Sequence, residues 1–359
     1  MLPWTIGASM NSPPGDKSMI PFKTLAGSAV ALAALAMSPA ASAQIVLTLS
    51  SWVPPTHTLT EGQREWCGML EQKVQGKVKC NQLPRAVSAA PGTFDAVRNG
   101  LVDISFTVQG YTPGRFVTTQ IAEFPFLGDS AEATSVAFQR IYEKSPAMQE
   151  EHKGVKVLAV FTHGPGMIFN TKRPITSVAD LSGLKFRVGG GMVNEISKAL
   201  GMNVTLKPAP ESYELLSSGV MDGTLFPAES VEGFKIDKVI KYATTFPGGL
   251  YNTAFVFMMN QAKYDSLPPD VKKAVDELSG EYAARFLGKG WDKVDRRGMA
   301  FMQTAGVQFT KADPAFVKTV KEKTDPLEDS WAKAAAAKGM KDPKKALAEL
   351  RAEIKKLEK

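Results

Sequence analysis

The sequence predicts an α/β protein of two lobes with a long helix that crosses both of them. Short apolar and β-branched runs alternate with amphipathic segments of helical period, which is typical of mostly parallel sheets covered by helices. The chain of 359 residues is too long for one domain of about 150 residues. Residues 268–303 keep a helical period over a stretch that reaches about 50 Å at 1.5 Å per residue.

The composition excludes several classes of protein. Hydrophobic residues make up 44% of the chain and charged residues 22%, which is globular rather than disordered or polytopic membrane composition. The net charge is +7, but the 43 basic and 36 acidic residues are interspersed, so we expect no nucleic-acid partner. The cysteines and histidines show no metal-ligand spacing, and we expect neither a metal nor a cofactor.

Residues 1–43 have the pattern of a signal peptide. Lys17 and Lys23 precede an apolar run that ends in Ser-Pro-Ala-Ala-Ser-Ala-Gln, a small-residue cleavage pattern. The alternative is a membrane anchor, which needs about 20 apolar residues, and this run is shorter. We therefore expect a periplasmic, freely soluble chain that begins at residue 44.

Cys67 and Cys80 are the only cysteines of the chain. Export to an oxidising compartment favours a disulfide between them. Two buried thiols are the alternative, and a reactive thiol or a metal site has no supporting pattern around these residues.

The first lobe is predicted from residues 44–164, with part of 250–300 returning to it. A β-branched run from Ile45 to Trp52 is followed by Val-Pro-Pro, which indicates a strand that leads into a loop. An amphipathic helix follows and ends at Gly76. The later elements of this lobe are a strand at 77–83, a helix at 91–99, a strand at 102–108, a helix at 130–143 and a strand at 155–161.

The second lobe is predicted from residues 165–249, followed by the lobe-spanning helix at 268–303 and a C-terminal helical segment at 304–359. The tail from Asp342 carries an apolar stripe, which favours a surface helix packed on one lobe, with a partner-binding role as the alternative. The elements of the second lobe are a strand at 184–188, a helix at 192–200, a strand at 203–206, a helix at 211–218 and a strand at 222–226.

Ligands of open α/β sheets bind beyond the carboxyl ends of the strands. Arg187 is the strongest candidate there, because a guanidinium offers a planar fork of donors that matches a carboxylate. A structural salt bridge is the alternative for this residue. The residues at the predicted strand ends are Trp52, Gln109, Tyr111, His163, Arg187 and Phe226.

Three glycines, Gly189 to Gly191, follow the strand of Arg187 and open a helix. The backbone N–H groups at such a helix start can bind an anion, and a plain tight turn is the alternative. The chain lacks a nucleophile elbow, a His-Glu-x-x-His motif and a phosphate-binding loop, so we expect binding rather than catalysis.

Four stretches of the chain, in this order, resemble the substrate-binding proteins of tripartite ATP-independent periplasmic (TRAP) transporters. The resemblance implies a periplasmic binding protein fold of type II-like architecture, often monomeric, that closes on an organic acid and delivers it to a membrane permease. It also implies that Arg187, in the Lys-x-Arg-Val stretch, binds the ligand carboxylate. The stretches are Thr93-Phe-Asp-Ala-Val-Arg-Asn-Gly-Leu-Val-Asp-Ile, Glu123-Phe-Pro-Phe-Leu, Asp180-Leu-Ser-Gly-Leu-Lys-Phe-Arg-Val and Tyr213-Glu-Leu-Leu-Ser-Ser-Gly-Val-Met-Asp-Gly.

Two departures from the common pattern of that family narrow the expected ligand. Sialic-acid-binding members carry an additional Arg where this chain has His163-Gly-Pro-Gly, and Phe226 replaces a polar side chain. Trp52 and Tyr111 are expected to form aromatic walls. We therefore expect an aromatic or apolar monocarboxylate, or a 2-keto or 2-hydroxy acid, rather than a dicarboxylate or a sugar acid.

Other residues have two interpretations each. His57 and His163 either donate to a ligand hydroxyl or keto oxygen or are structural histidines. Arg115 is either a second carboxylate contact or part of a salt bridge within a lobe. Glu229 and Asn252 either order the hinge or contact the ligand.

Two other classes of protein remain open from the sequence. The receptor of an ABC importer would share the lobes without the long helix. An exported lyase or hydrolase would need a base near the ligand, for which only His57 or His163 is suitable at neutral pH.

Overall fold

The computed structural model describes residues 44–359, and the predicted signal peptide lies outside the described residues. Two mixed sheets with surrounding helices confirm the α/β class. The strands are β1 Ile45–Leu49, β2 Val78–Gln82, β3 Ile104–Val108, β4 Val155–Thr162, β5 Met167–Asn170, β6 Lys185–Val188, β7 Asn203–Leu206, β8 Gly223–Phe226, β9 Tyr242–Thr245, β10 Ala254–Asn260 and β11 Gln308–Lys311. The helices are α1 Thr58–Lys73, α2 Thr93–Arg98, α3 Ala131–Lys144, α4 Pro146–Glu151, α5 Met192–Ala199, α6 Ser212–Ser217, α7 Glu229–Gly233, α8 Gln261–Asp265, α9 Pro269–Glu277, α10 Glu281–Thr304, α11 Pro314–Ala337 and α12 Pro343–Leu357.

Each sheet has one inner strand that runs against both of its neighbours. The first sheet has the order β2-β1-β3-β10-β4, and the second has the order β11-β9-β5-β8-β6-β7. β10 is antiparallel to β3 and β4, and β5 is antiparallel to β8 and β9. The chain passes from β4 in the first sheet to β5 in the second, and from β9 in the second sheet to β10 in the first, without a helix between them. The sheets are therefore less parallel than the sequence predicts.

Four strands of the structure were not predicted from the sequence. β10 is buried at every position, so it lacks the alternation that distinguishes a strand from a buried helix. β5, β9 and β11 have only 4 residues each. β11 lies inside residues 304–359 and pairs with β9, so the expectation of an entirely helical C-terminal segment was wrong.

The predicted single helix at 268–303 is two helices, α9 and α10. Gly280 lies between them with a φ of +63°, a conformation that ends a helix and that glycine adopts without strain. Its N–H donates to the carbonyl oxygen of Leu158 at 2.7 Å. The 24 residues of α10 span about 36 Å, less than the predicted length.

α10 contacts both lobes through two of its glycines. A Cβ on Gly288 would lie 2.6 Å from the Cα of Glu132, at the start of α3. Gly298 packs in the same way against the backbone of Ala228, directly before α7. These glycines permit close backbone approach, so α10 joins α3 beside the first sheet to α7 beside the second.

Packing holds the C-terminal helix, and a covalent bond joins two elements of the first lobe. The apolar stripe of α12, with Leu347, Leu350 and Ile354 buried, packs on α3, as expected for a surface helix on one lobe. A disulfide joins Cys67 on α1 to Cys80 on β2, with Cα atoms 6.3 Å apart. No helix within residues 44–359 has the length and apolarity needed to cross a membrane.

Candidate ligand-binding site

A cavity lies where strand ends of both sheets and the segments that follow them meet. Tyr111 and His163 come from the first sheet, and Arg187 and Phe226 come from the second. The carboxyl ends of the strands thus converge on one site, as the sequence predicts. Seven candidate residues line this cavity, namely Trp52, His57, Tyr111, His163, Arg187, Gly189 and Phe226.

The lobes touch beside the cavity through two glycines. A Cβ on Gly110, which follows β3, would lie 2.7 Å from the carbonyl carbon of Gly190, which follows β6. The hydroxyl of Tyr111 accepts a hydrogen bond from the N–H of Ala209 at 2.8 Å. These contacts join the first sheet to the second, so the structure has the cleft closed.

Arg187 is a buried cation without a carboxylate partner among the described residues. Its side chain is only 2% exposed, and its Nε donates to the carbonyl oxygen of Lys207 at 2.8 Å. The guanidinium carbon lies 4.5 Å from the centre of the Phe226 ring. The nearby Glu211 pairs instead with Lys207 Nζ at 3.0 Å.

Burial lowers the pKa of Arg187 from its ordinary value, because the charged form loses its hydration. Arginine nevertheless keeps its charge in proteins. An anion in the cavity would compensate this charge and accept the guanidinium donors that Nε leaves free.

Two tyrosines lie close to this cation. Burial raises the pKa of Tyr111 and of Tyr251 above the ordinary value, although the charge of Arg187 acts in the opposite direction on both. Both phenols therefore stay protonated. Tyr111 already accepts from Ala209, so its own O–H proton is available to a ligand oxygen.

The walls of the cavity are aromatic. Trp52 packs against Tyr111 with ring centres 5.6 Å apart, and its indole N–H donates to the carbonyl oxygen of Phe106 at 2.9 Å. Phe226 stacks on Phe234 with ring centres 5.4 Å apart. Because the indole N–H of Trp52 is already bonded, these rings present apolar surface to a ligand.

His57 lines the cavity, but both of its ring nitrogens are occupied. Nδ1 accepts from the N–H of Leu59 at 3.2 Å and thereby caps α1. Nε2 lies 3.3 Å from a carboxylate oxygen of Glu229 and carries the proton. Of the two interpretations of His57, these contacts therefore favour the structural histidine over a donor to a ligand oxygen.

The pair of His57 and Glu229 is buried, and burial is the main cause of its titration behaviour. The pKa of His57 falls to about 3 and that of Glu229 rises to about 8. The nearby carboxyl of Asp295 also raises the pKa of Glu229. Glu229 does not line the cavity and instead positions His57 across the cleft.

His163 differs from His57, because one of its nitrogens has no partner among the described residues. Nδ1 donates to the carbonyl oxygen of Gly164, and Nε2 is buried and unpaired. Burial lowers the pKa of His163 to about 4, so the ring is neutral. The side-chain amide of Asn252 faces the carbonyl oxygens of His163 and Gly164, and with its nitrogen turned toward them it donates to both, at 3.0 Å and 2.8 Å.

Gln109 and Arg115, like Glu229 and Asn252, lie outside the cavity lining. Gln109 donates to the carbonyl oxygen of Phe255 at 3.2 Å, within the first sheet. Arg115 pairs with Asp95 at 3.0 Å and lies over the ring of Phe94. The structure therefore places Arg115 in a salt bridge within the first lobe, which was the alternative to a ligand contact.

The three-glycine segment is a tight turn, and a protein carboxylate occupies the helix start that follows it. An oxygen of Glu123 accepts from the N–H of Met192, the first residue of α5, at 2.7 Å. Burial raises the pKa of Glu123 to about 7, while this hydrogen bond and one from Ala254 lower it. Gly189 itself lines the cavity beside Arg187.

Sequence reasoning missed four aromatic residues of the lining: Phe234, Tyr251, Phe255 and Trp291. Tyr251 precedes and Phe255 belongs to β10, the unpredicted strand in the part of the chain that returns to the first lobe. Trp291 lies inside the predicted lobe-spanning helix, and no sequence pattern distinguishes it from the other apolar residues of that helix. Its indole N–H is buried and has no partner among residues 44–359.

Comparison with known proteins agrees with this geometry. The model of the family of bacterial extracellular solute-binding proteins, family 7, matches residues 49–334. A TRAP periplasmic solute-binding protein from Bordetella bronchiseptica with bound (R)- and (S)-mandelate is 44% identical, with a TM-score of 0.84 over 87% of this chain and 99% of that chain.

Two further structures are similar over nearly their whole length. A marine metagenome TRAP solute-binding protein, specific for aromatic acid ligands and in complex with 3-hydroxybenzoate, is 33% identical, with a TM-score of 0.83 over 88% of this chain and 99% of that chain. A TRAP solute-binding protein from Rhodoferax ferrireducens T118 with copurified benzoate is 28% identical, with a TM-score of 0.81 over 87% and 98%. The resemblance seen in the sequence is thus confirmed, and the chain belongs to family 7 of the bacterial extracellular solute-binding proteins, the receptors of TRAP transporters.

Proposed function

We propose that this TRAP receptor captures an aromatic monocarboxylate in the periplasm and delivers it to its membrane permease. The observation that carries the proposal is the buried charge of Arg187 at one side of a cavity with aromatic walls. A carboxylate would pair with the guanidinium and accept from Tyr111, while an aromatic ring would pack between the walls. Closure of the cleft would exclude water and strengthen the charge pair.

The residues that line the cavity favour a ligand with one carboxylate over a ligand with two. Among the residues that line the cavity, Arg187 is the only one with a permanent positive charge, and both lining histidines are neutral. A second carboxylate would be buried without a partner, which costs several kcal/mol. A sugar acid would bury many hydroxyls against a mostly apolar wall, where few of them would find partners.

The proposal is tested by calorimetric titration with mandelate, benzoate, succinate and glucuronate. We expect binding of the first two acids only. Arg187→Met keeps an unbranched side chain as far as about the position of Nε and removes the charge. Since Arg187 has no carboxylate partner within the described residues, this change should leave folding intact and abolish measurable binding.

Arg115→Met is the matched control, because Arg115 lies outside the cavity and pairs with Asp95. It should bind aromatic acids like the wild type. Tight binding of succinate or glucuronate instead of an aromatic acid would contradict the ligand class. Unchanged binding of an aromatic acid by Arg187→Met would remove Arg187 from the site.

A further inference from the structure

Two residues that line the cavity each carry a buried polar atom that the protein leaves unpaired. The atoms are Nε2 of His163 and Nε1 of Trp291, and neither has a hydrogen-bond partner among residues 44–359. Both side chains line the cavity, and their ring centres are 6.0 Å apart. A buried polar group without a partner is destabilising, so such atoms in a binding cavity indicate a ligand group that completes them.

One of these atoms is a hydrogen-bond acceptor and the other is a donor. Nδ1 of His163 faces the carbonyl oxygen of Gly164, which only accepts, so Nδ1 carries the proton and Nε2 is an acceptor. Indole Nε1 of Trp291 is a donor only. The cavity therefore presents one free acceptor and one free donor from neighbouring side chains.

Several other polar side chains of the lining are already engaged. Both nitrogens of His57 are occupied by Leu59 and Glu229, and the indole N–H of Trp52 donates to Phe106. Tyr111 accepts from Ala209 on the side of the cavity where Arg187 lies. Among the lining residues, His163 and Trp291 carry the fully buried side-chain atoms that have no partner within residues 44–359.

We propose that His163 and Trp291 form a hydroxyl-binding subsite, so that the preferred ligand is an aromatic acid with a hydroxyl group besides its carboxylate. A hydroxyl both donates and accepts, so it satisfies Nε2 of His163 and Nε1 of Trp291 together. A keto oxygen only accepts and would leave Nε2 unpaired, and an ammonium only donates and would leave Nε1 unpaired. This inference rests on the proposed function, because Arg187 orients the ligand by its carboxylate.

The test compares acids with and without the hydroxyl in two matched pairs, 3-hydroxybenzoate with benzoate and mandelate with phenylacetate. Dissociation constants are measured by titration calorimetry on the protein purified from the periplasm after expression of the full chain. We expect the hydroxylated acid of at least one pair to bind about tenfold or more tightly, the cost of an unmade buried hydrogen bond.

Variants then locate the origin of this preference. Trp291→Phe removes the N–H and keeps an aromatic ring, and His163→Asn keeps a donor toward Gly164 while it removes the acceptor at the position of Nε2. In each variant the preference for the hydroxyl, taken as the ratio of the two dissociation constants, should fall to about threefold or less. Trp331→Phe is the control, because the N–H of Trp331 donates to the carbonyl oxygen of Val117 away from the cavity.

The possible results distinguish failure of the subsite from failure of the proposed function. Binding of both members of each pair within threefold by the wild type would overturn the subsite and leave the proposed function standing. A preference that persists in Trp291→Phe and in His163→Asn would overturn the assignment to these two residues. Failure of all four aromatic acids to bind the wild type would overturn the proposed function, and the subsite with it.

Discussion

The contact between Gly110 and Gly190 allows a direct test of lobe closure. A Cβ at Gly110 would lie 2.7 Å from the carbonyl carbon of Gly190 and 2.8 Å from both its oxygen and the nitrogen of Gly191. All three atoms belong to the backbone, so they cannot move aside as a side chain would. The φ angle of Gly110 lies outside the positive region, so alanine suits the local conformation. Gly110→Ala therefore acts on closure and not on the fold of the first lobe.

The size of the effect follows from this overlap. Ordinary contacts of a Cβ begin near 3.4 Å, so the two loops must separate by roughly 0.7 Å, or the cleft must stay partly open. Overpacking of this kind costs about 1–3 kcal/mol. Because the cost falls on the closed state alone, the dissociation constant for an aromatic acid should rise by about 5- to 150-fold.

Titration calorimetry measures this change, and small-angle scattering with and without ligand measures the closure itself. Gly68→Ala is the matched control, because a Cβ at Gly68 meets no atom within 4 Å. Its affinity should equal that of the wild type. Binding and closure of Gly110→Ala like those of the wild type would contradict this account of closure. A decrease in the free energy of unfolding of the ligand-free variant as large as its loss of binding free energy would contradict it as well.

Two further predictions concern stability. Replacing Cys67 and Cys80 by serine should lower the free energy of unfolding by about 3 kcal/mol, because the bond constrains the unfolded chain. Ligand affinity should not change, since the bond joins α1 to β2 away from the cavity lining, and a loss of affinity at 25 °C would contradict this separation. For Glu229 and Asp295, burial raises the pKa values to about 8 and about 7, so the folded protein holds protons that the unfolded chain releases. The free energy of unfolding should therefore fall as the pH rises from about 6.5 to 8. At lower pH the lowered pKa of His57 opposes this effect, because the unfolded chain then binds a proton that the folded protein does not. Urea unfolding across this pH range should show a smaller loss in the free energy of unfolding for Glu229→Gln than for the wild type. The same dependence of stability on pH in both proteins would contradict the assignment of this effect to Glu229.

Much of the cavity was predictable because it depends on local sequence patterns. Strand ends are marked by the change from an apolar run to glycine, proline or polar residues, and parallel strands direct those ends to one edge. This reasoning led to Tyr111, Arg187 and Phe226, which the structure brings to one cavity. The lining residues Tyr251 and Trp291 have no such local signal. Tyr251 lies between β9 and β10, two strands that the sequence did not predict, and Trp291 lies within α10.

The sequence by itself determined the α/β class, the family and the identity of the residues at the strand ends, because each depends on patterns over a few neighbouring positions. Only the tertiary structure decided which of those residues remain free to bind a ligand. Nε2 of His57 is taken by Glu229, more than a hundred residues away, whereas Nε2 of His163 has no partner within the described residues. Hydrogen bonding between distant segments is set by packing, and for this reason two similar histidines in the sequence have different roles in the fold.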